Sequence, residues 1–421
     1  MEIDKLHKLF LTCNSANTDT RKIEVNDMFF ALKGDNFNGN IYASKAINLG
    51  AKFAIIDEAE YKISDKYILV NNTLQTLQAL ATYHRNYLKT PIIALTGSNG
   101  KTTTKELINA VLKQKYHTSA TLGNLNNHIG VPLTLLSIKE NTEIGIVEMG
   151  ANHQKEIEFL CHIAQPDYGY ITNFGKAHLE GFGGVDGVIK GKSEMYDYLI
   201  KHNKTVFVNS NDSIQVEKTQ TAQTKTFGKN NADVKIEFIE AEPFVSCSFE
   251  SLEINSKLIG DYNFNNIAAA IAVGKFFNVP NSNIKQAIEN YVPSNNRSQI
   301  IQKGNHKIIL DAYNANPSSM QAALLNFEKQ QGHTIAILGD MFELGHEAEI
   351  EHQNIVNLTS TLNIDTVIFI GENFYRTQTS SSKFKSFSNF KDTFNMSSLN
   401  ASTILIKGSR GMALERILDL L

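Results

Sequence analysis

The feature that most constrains this chain is a glycine-rich segment at residues 96–104, which reads Thr-Gly-Ser-Asn-Gly-Lys-Thr-Thr-Thr. The apolar, partly β-branched run at residues 91–95 precedes it and predicts a buried strand. Four apolar residues recur after it at helical spacing: Leu107, Ile108, Val111 and Leu112. We therefore expect a strand, a tight glycine turn and a helix, with Thr102 or Thr103 as the helix cap.

This strand–turn–helix geometry suits a phosphate group. Glycines let backbone N–H groups approach an anion, the helix dipole favours negative charge, and Lys101 can reach the outer phosphates. The hydroxyl of Thr102 is placed to bind Mg²⁺. Two residues separate Gly97 from Gly100, whereas the general phosphate-loop pattern has four between its glycines. An ordinary glycine turn between a strand and a helix is the alternative interpretation.

The composition is that of a globular chain: of 421 residues, 42% are hydrophobic and 20% are charged, and the formal net charge is −3. This charge gives no reason to expect nucleic acid or a membrane surface as a partner. The three cysteines are scattered and odd in number, which is typical of reduced thiols. With no signal-peptide pattern and no 18-residue apolar stretch in the sequence, we expect a cytoplasmic protein without membrane insertion.

Strands alternate with helices along the chain, and this pattern predicts an α/β fold of three domains. Residues 1–88 form the first domain. Residues 89–292 form the second, which carries the phosphate loop (P-loop) on a mostly parallel sheet, and residues 293–421 form a Rossmann-like third domain. After Gly228 the pattern changes to apolar–polar alternation, which predicts antiparallel hairpins added to the central sheet.

Two candidate site residues stand at or beyond the ends of predicted strands of the second domain. Glu148 ends an apolar strand, where an acid can hold Mg²⁺, although a helix-capping or salt-bridged glutamate fits the same position. His178 follows the next strand among glycines and polar residues. A lone loop histidine is often structural or solvated, so a functional and a structural role both stay open for it.

Four polar residues near the second domain boundary are further candidates. Asn263 and Asn266 begin an alanine-rich predicted helix, where asparagine is a good capping residue. Arg297 and Asp311 can reach a cleft between domains, or they are a surface arginine and a turn aspartate. The Asn-Pro pair at residues 316–317 predicts the start of another helix, with the asparagine as its cap.

Seven segments of the chain together resemble the Mur ligases, the ATP-dependent ligases of peptidoglycan precursor synthesis. They are residues 96–106, 123–132, 148–151, 173–183, 311–317, 339–345 and 407–410. The fifth and sixth segments resemble the branch of the family that adds D-alanyl-D-alanine to UDP-N-acetylmuramoyl-tripeptide. The resemblance spans nearly the whole chain. It implies that the first domain binds the nucleotide-sugar peptide, the second binds ATP and the third completes the ligase.

The resemblance also implies ATP and Mg²⁺ as cofactors and a set of site residues. The implied catalytic residues are Lys101, His178, Lys192 and Arg297. The implied ATP-binding residues are Gly97, Ser98, Asn99, Gly100, Lys101, Thr102, Thr103, Asn263, Asn266, Arg297 and Asp311. The implied Mg²⁺ ligands are Thr102 and Glu148 for one ion, and His178 and a carbamylated Lys192 for a second. The implied substrate-binding residues are Thr20, Arg21, Asn124, Asn126, Asn127, His128, Asn314 and Asn316.

Three positions depart from the usual family pattern. Thr20 stands where a serine is common, Tyr262 where a histidine precedes Asn263, and Asn296 where a glycine precedes Arg297. The threonine keeps the hydroxyl of the serine that it replaces.

The residue types suit amide-bond formation through an acyl phosphate. A carboxylate is a poor acyl donor, so ATP first phosphorylates it and an amine then attacks the acyl carbon. Phosphoryl transfer needs positioning and charge neutralisation, which Lys101, Arg297 and Mg²⁺ can supply. Arg297 can reach ATP at Lys101 only if the domains approach, so we expect domain closure with hinges near residues 89–91 and 293–295.

Two other functions remain open. Another Mur ligase or folylpolyglutamate synthetase would share the phosphate loop but not the combination of residues 313–317 with residues 339–345. A regulatory P-loop ATPase acting on a protein partner would not need polar strand ends converging from two domains. We expect small-molecule substrates, no nucleic acid and a monomer.

Overall fold

The computed structural model describes residues 2–293, 296–395 and 401–421 of the chain. The first elements are α1 (Ile3–Phe10), β1 (Ala16–Asn17), β2 (Met28–Phe30), β3 (Lys33–Gly34), β4 (Phe37–Asn38), α2 (Ala43–Asn48), β5 (Phe53–Ile56), β6 (Tyr67–Leu69) and α3 (Thr73–Leu88). Strands β1, β2, β5 and β6 form a parallel sheet in that order, and β3 and β4 form a separate hairpin. The first part of the chain therefore has a sheet of its own.

The central elements follow directly. They are β7 (Ile92–Thr96), α4 (Lys101–Leu112), β8 (Thr118–Ala120), α5 (Gly130–Leu136), β9 (Ile144–Glu148), α6 (Glu156–Ala164), β10 (Tyr168–Ile171), α7 (Leu179–Phe182), α8 (Val185–Lys201), β11 (Thr205–Asn209), α9 (Ser213–Lys218), β12 (Gln223–Gly228) and β13 (Val234–Lys235). Their parallel sheet has the order β13-β12-β11-β10-β7-β9-β8. Because β7 lies between β9 and β10, the loops after these three strands meet at one edge of the sheet. The predicted α/β class with a parallel central sheet is confirmed.

Helix α4 begins at Lys101, so Thr102 and Thr103 already lie inside its first turn. The N-cap residue is Gly100, whose φ of 79° is a left-handed conformation that glycine adopts without strain. The prediction that Thr102 or Thr103 caps the helix is therefore wrong. A glycine has no side chain with which to cap a helix, so the first N–H groups of α4 remain available to a ligand.

The predicted antiparallel hairpins form a sheet of their own. Strands β14 (Glu237–Glu240), β15 (Ser246–Phe249) and β16 (Leu252–Asn255) pair antiparallel, and helices α10 (Asn263–Phe276) and α11 (Asn281–Asn290) follow them. Strand β13 continues the parallel central sheet instead. The prediction that the hairpins extend the central sheet is thus corrected. An alternating pattern identifies a half-buried strand but does not identify its pairing partner.

The third part of the chain again alternates strands with helices. Its described elements are β17 (Gln299–Lys303), β18 (His306–Asp311), α12 (Pro317–Phe327), β19 (Thr334–Gly339), α13 (Ala348–Thr359), β20 (Thr366–Ile370), α14 (Glu372–Arg376), β21 (Ser382–Phe384), α15 (Phe387–Thr393) and β22 (Thr403–Lys407). The sheet order is β17-β18-β22-β19-β20-β21, and β17 alone among these described strands runs antiparallel. Asn316 caps α12 in a capping box with Ser319, so the predicted helix start is confirmed.

Helix α3 is anchored to the central sheet by buried polar contacts. Arg85 donates to the backbone oxygen of Ala164 at 3.2 Å and to the Asp167 carboxylate at 2.6 Å. His84 pairs with the backbone oxygen of Ile138 at 2.9 Å. The predicted hinge at residues 89–91 therefore directly follows a helix that is already fixed to the central part. Of the other predicted hinge, Ser294 and Asn295 lie outside the described residues.

We predict that Arg85→Met lowers the free energy of unfolding by about 2–4 kcal/mol, because it removes one partner of a largely buried ion pair. Asp167 also accepts from Lys204, whose side chain is 39% exposed. The matched change Lys204→Met should cost less than about 1 kcal/mol, since exposed pairs contribute little. Urea unfolding measures both. Equal losses in the two variants would contradict the anchoring role of Arg85.

Candidate active site

A cavity of about 880 Å³ lies where the polar ends of the central and third sheets face each other. Residues that end or follow β7, β9, β10, β18 and β22 line it: Ser98, Glu148, Asn173, Asp311 and Lys407. Ligands of open α/β sheets bind beyond the carboxyl ends of the strands. The volume is within the range of small-molecule sites, which makes this cleft the candidate active site.

The phosphate loop is packed too closely to carry side chains at its glycines. A Cβ atom at Gly97 would lie 1.9 Å from the hydroxyl of Thr172, and one at Gly100 would lie 2.6 Å from the amide of Asn266. Both glycines have positive φ, at 143° and 79°. A side chain at either position would push the loop away from the sheet. The alternative of an ordinary glycine turn does not explain this packing beneath a cleft.

Lys101 folds back over the loop. Its Nζ donates to the backbone oxygens of Gly97 at 2.7 Å and Ser98 at 3.3 Å. Burial lowers the pKa of this amine, Glu148 opposes that change, and the positive charge of Arg297 lowers the pKa further. A phosphate placed here would add negative charge beside this half-buried lysine and favour its charged form.

Thr102 and Glu148 bring two oxygens together at the floor of the cleft. The hydroxyl of Thr102 lies 2.9 Å from one Glu148 carboxylate oxygen, and Asn126 donates to the other at 2.8 Å. Adjacent ligands of an octahedral Mg²⁺ ion are separated by about 3 Å, so this pair fits two of its positions. Within the described ranges, no group of three or more His, Cys, Asp or Glu side chains is arranged to hold a metal ion. Mg²⁺ commonly completes its shell with water and phosphate oxygens.

His178 lines the cleft and contacts the third part of the chain. Its Nδ1 faces the carboxylate of Glu343, which follows β19. The hydrogen bond with His178, and then the electrostatic attraction to it, lower the pKa of Glu343. His178 therefore joins two sheets at the edge of the site rather than standing in a solvated loop.

Lys192 is buried in α8 and does not line the cleft. Its Nζ lies 5.0 Å from the ring centroid of Phe182, and no ion pair to it is found in the described part of the chain. Burial holds the pKa of this amine well below its usual value, and the charge of Lys101 acts in the same direction. A solvated surface lysine is excluded by this burial.

Asn263 and Asn266 support the phosphate loop from behind. Asn266 accepts from the hydroxyl of Thr104 at 2.9 Å and donates to Asn263 at 2.8 Å. Asn263 in turn donates to the backbone oxygen of Ile259 at 2.8 Å. Neither residue caps α10, whose N-cap position is Tyr262, so the capping interpretation is wrong. Their amide groups link the Thr104 hydroxyl on α4 to the turn before α10.

Arg297, just before β17, and Asp311, at the end of β18, line the cleft from the third part of the chain. The Arg297 guanidinium lies 3.7 Å from the ring centroid of Tyr313, and Asp311 accepts from the backbone N–H of Ser298 at 3.0 Å and pairs with Lys407. The interpretation as a surface arginine and a turn aspartate is therefore wrong. Asn296 has a φ of 58°, a conformation that asparagine tolerates better than most residues, and this explains how it can replace a glycine here.

Most of the predicted site residues are brought together. Those that line the cleft are Ser98, Asn99, Gly100, Lys101, Thr102, Thr103, Asn124, Asn126, Asn127, His128, Glu148, His178, Asn263, Asn266, Arg297, Asp311, Asn314 and Asn316. Gly97 and Lys192 lie behind its wall. Thr20 and Arg21 lie in a short 3₁₀ turn outside it, where Arg21 pairs with Asp19 at 2.7 Å.

Several lining residues were not assigned a role by the sequence: Asn173, Tyr262, Tyr313, Ser318 and Lys407. Asn173 and Lys407 stand at strand ends, and that position was a signal that could have found them. Tyr313 and Ser318 reach the cleft through contacts between distant segments, which no local pattern reveals.

The described helices include none with the length and apolar content that crossing a bilayer requires.

Known families match three consecutive parts of the chain. Residues 14–85 match the Mur ligase family catalytic domain, residues 95–274 the Mur ligase middle domain, and residues 296–410 the Mur ligase glutamate ligase domain. The matched parts occur along the chain in the same order as the first, central and third sheets.

Relatives match the chain over nearly its full length. The UDP-N-acetylmuramoyl-tripeptide–D-alanyl-D-alanine ligase of Bacillus subtilis is 34% identical, covering 95% of this chain and 91% of that protein. A crystal structure of MurF from Acinetobacter baumannii superposes with a TM-score of 0.87 at 29% identity, covering 99% and 98% of the two chains. The ADP complex of MurF from Thermotoga maritima gives 0.84 at 26% identity, covering 98% and 97%. The chain belongs to the Mur ligase family.

Proposed function

We propose that this protein is the ATP-dependent ligase that joins D-alanyl-D-alanine to UDP-N-acetylmuramoyl-tripeptide. The observation that carries the proposal is the single cleft in which a phosphate loop of the central sheet meets Arg297 and Asp311 of the third sheet. The full-length similarity to relatives with this activity supports the choice of substrates. We assign residues 1–88 to the nucleotide-sugar peptide, residues 89–292 to ATP and residues 293–421 to the completion of the site.

The cationic groups of the cleft provide the positioning for phosphoryl transfer. Lys101 and the first N–H groups of α4 bind the phosphates, and Arg297 approaches the γ-phosphate from the opposite wall. The stacking of Arg297 on Tyr313 fixes the plane of its guanidinium. Asp311 faces the ribose, and Asn263 and Asn266 lie on the adenine side. In this arrangement the protein neutralises charge and aligns the reactants.

The reaction proceeds in two steps, the first at the γ-phosphorus of ATP and the second at the acyl carbon. The terminal peptide carboxylate attacks the γ-phosphorus, and ADP leaves with the electrons of the broken bond. The dipeptide amine then attacks the acyl phosphate, a proton is lost from nitrogen, and phosphate departs. Mg²⁺, held by Thr102 and Glu148, would neutralise charge on the phosphate oxygens. Asn124, Asn126, Asn127 and His128 face the sugar-peptide substrate, and Asn314 and Asn316 approach from the third sheet.

We assign Lys192 a carbamate. Its neutral Nζ lone pair attacks the carbon of CO₂, the N–C bond forms, and a proton leaves the nitrogen, so the product carries a carboxylate. The lowered pKa of Lys192 favours the neutral amine that this reaction requires. The resulting oxygens, with His178, would serve the second Mg²⁺.

Uridine recognition is assigned to Thr20 and Arg21 in the 3₁₀ turn between β1 and β2 of the first sheet. Both lie outside the cleft, so the extended substrate would have to run from the first sheet to the phosphate loop. We further propose that the protein acts as a monomer in the cytoplasm, which is consistent with the free thiols of Cys13, Cys161 and Cys247.

We predict that phosphate release from ATP requires both UDP-N-acetylmuramoyl-tripeptide and D-alanyl-D-alanine. A coupled phosphate assay should be run with each substrate omitted in turn, and with tripeptides ending in meso-diaminopimelate or lysine. Turnover with folate and glutamate but not with the muramoyl substrate would support the folylpolyglutamate alternative. ATP hydrolysis independent of both substrates would favour the regulatory ATPase.

We predict that Lys101→Ala lowers kcat by about 10²–10³-fold or more while the protein remains folded. The change removes a positive charge from the phosphate site, but Lys101 packs no core and begins an otherwise intact helix. Lys113→Ala at the exposed C-terminal end of the same helix is the matched control and should keep wild-type kcat. Near-wild-type turnover of Lys101→Ala with an unchanged circular dichroism spectrum would refute the assignment.

We predict that Lys192→Ala is inactive and that short carboxylic acids partly restore its activity, because an added carboxylate can replace the carbamate. Lys190→Ala is the control, since Lys190 is exposed two residues away on another face of α8. Bicarbonate depletion should lower the activity of the wild type reversibly. An active Lys192→Ala variant, or acid rescue of Lys190→Ala instead, would reject the carbamate at Lys192.

A further inference from the structure

The phosphate loop is hydrogen-bonded directly to the segment between β18 and α12 through two asparagines. The Nδ2 of Asn316 donates to the Oδ1 of Asn99 at 2.7 Å, across 217 residues of sequence. Asn316 is buried, and both residues line the cleft. This bond can form only when the third sheet lies over the loop.

The orientation of the Asn316 amide is fixed by its second role. Its Oδ1 accepts from the backbone N–H of Ser319 at 2.9 Å as the cap of α12. An acceptor must face that N–H group, so the NH₂ group has to face Asn99. The carbonyl oxygen of this side chain thus contacts the helix, and its NH₂ group contacts the loop.

The backbone of Asn99 is held independently by the central sheet. Asn173 accepts from the N–H of Asn99 at 3.1 Å and donates to its carbonyl oxygen at 3.0 Å. The hydroxyl of Thr172 donates to the same oxygen at 2.5 Å. The loop is therefore fixed to β10 through its backbone, which leaves the side chain of Asn99 to contact the third sheet.

We propose that Asn316 is a positioning residue that couples closure of the third sheet to the conformation of the phosphate loop through Asn99. Asn316 lies five residues after Asp311, in the segment that also carries Tyr313 beneath Arg297. Holding Asn316 against Asn99 therefore holds Arg297 and Asp311 over the nucleotide. The kcat measurements that test this inference rest on the proposed function, whereas the scattering measurements do not.

The test is a double-mutant cycle with Asn99→Ala, Asn316→Ser and the double variant. Serine keeps a side-chain cap for α12 but is too short to reach Asn99. Each single variant should lower kcat about 5–10-fold, the size expected for a lost buried hydrogen bond. The KM for ATP should change less than twofold in Asn316→Ser, and the double variant should be no slower than the slower single one. Multiplying losses in the double variant would overturn the coupling.

Ser319→Ala is the matched control for the cap. It breaks the other half of the capping box and leaves the Asn99–Asn316 bond in place. It should lower thermal stability without the loss in kcat. A kcat loss equal to that of Asn316→Ser would show that capping, and not contact with the loop, explains the effect.

A second readout separates this inference from the ligase assignment. Small-angle scattering should record compaction of the wild type with a non-hydrolysable ATP analogue, and less compaction in Asn99→Ala, Asn316→Ser and the double variant alike. If this pattern holds while the wild type does not turn over the two proposed substrates, the assigned function fails and the coupling stands. If the wild type is an active ligase and all four proteins compact equally, the coupling fails.

Discussion

Gly97 and Gly100 lie so close to neighbouring side chains that neither position has room for a Cβ atom. Thr172 of the β10 end lies against the first glycine, and Asn266 of α10 lies against the second. These approaches fix the loop relative to β10 on one side and α10 on the other. The positions of Lys101, Thr102 and the first N–H groups of α4 follow, because all begin where the loop ends. The rest of the site is built around that fixed start.

Local chemistry was enough to predict the phosphate loop and the α/β class. A β-branched run predicts a strand, two glycines predict a tight turn, and a helical apolar period predicts a helix. Their order along the chain predicts a phosphate loop. The start of α4 was missed because Gly100 at the N-cap leaves the first threonines inside the helix. The pairing of β14 to β16 and the anchoring of α3 through Arg85 depend on distant segments, which no periodicity encodes.

For the site too, the sequence predicted what depends on local position and missed what depends on contacts between distant segments. Strand-end polar residues such as Glu148 and Asp311 lie in the cleft because parallel strands end at the same edge. The burial of Lys192 was not predictable, since a lysine among polar neighbours reads as a surface residue until its helix is packed. The same holds for Asn316. The residues that follow Asn316 indicate its capping role, whereas its contact with Asn99 depends on how the central and third parts of the chain pack together.

The charges of the cleft explain why closure should depend on the nucleotide. Bringing the third sheet over the loop places Arg297 near Lys101, and the charge of Arg297 adds to burial, the main cause, in lowering the pKa of the lysine. The repulsion between these two cations therefore opposes the closed arrangement, and the negative charge of Glu148 acts against that repulsion. The triphosphate would bring several negative charges between them and turn the repulsion into attraction for both walls. Neutral contacts such as Asn99–Asn316 can align the loop and the third part of the chain without adding charge. These contacts therefore set the geometry, and the ligand supplies the electrostatic driving force.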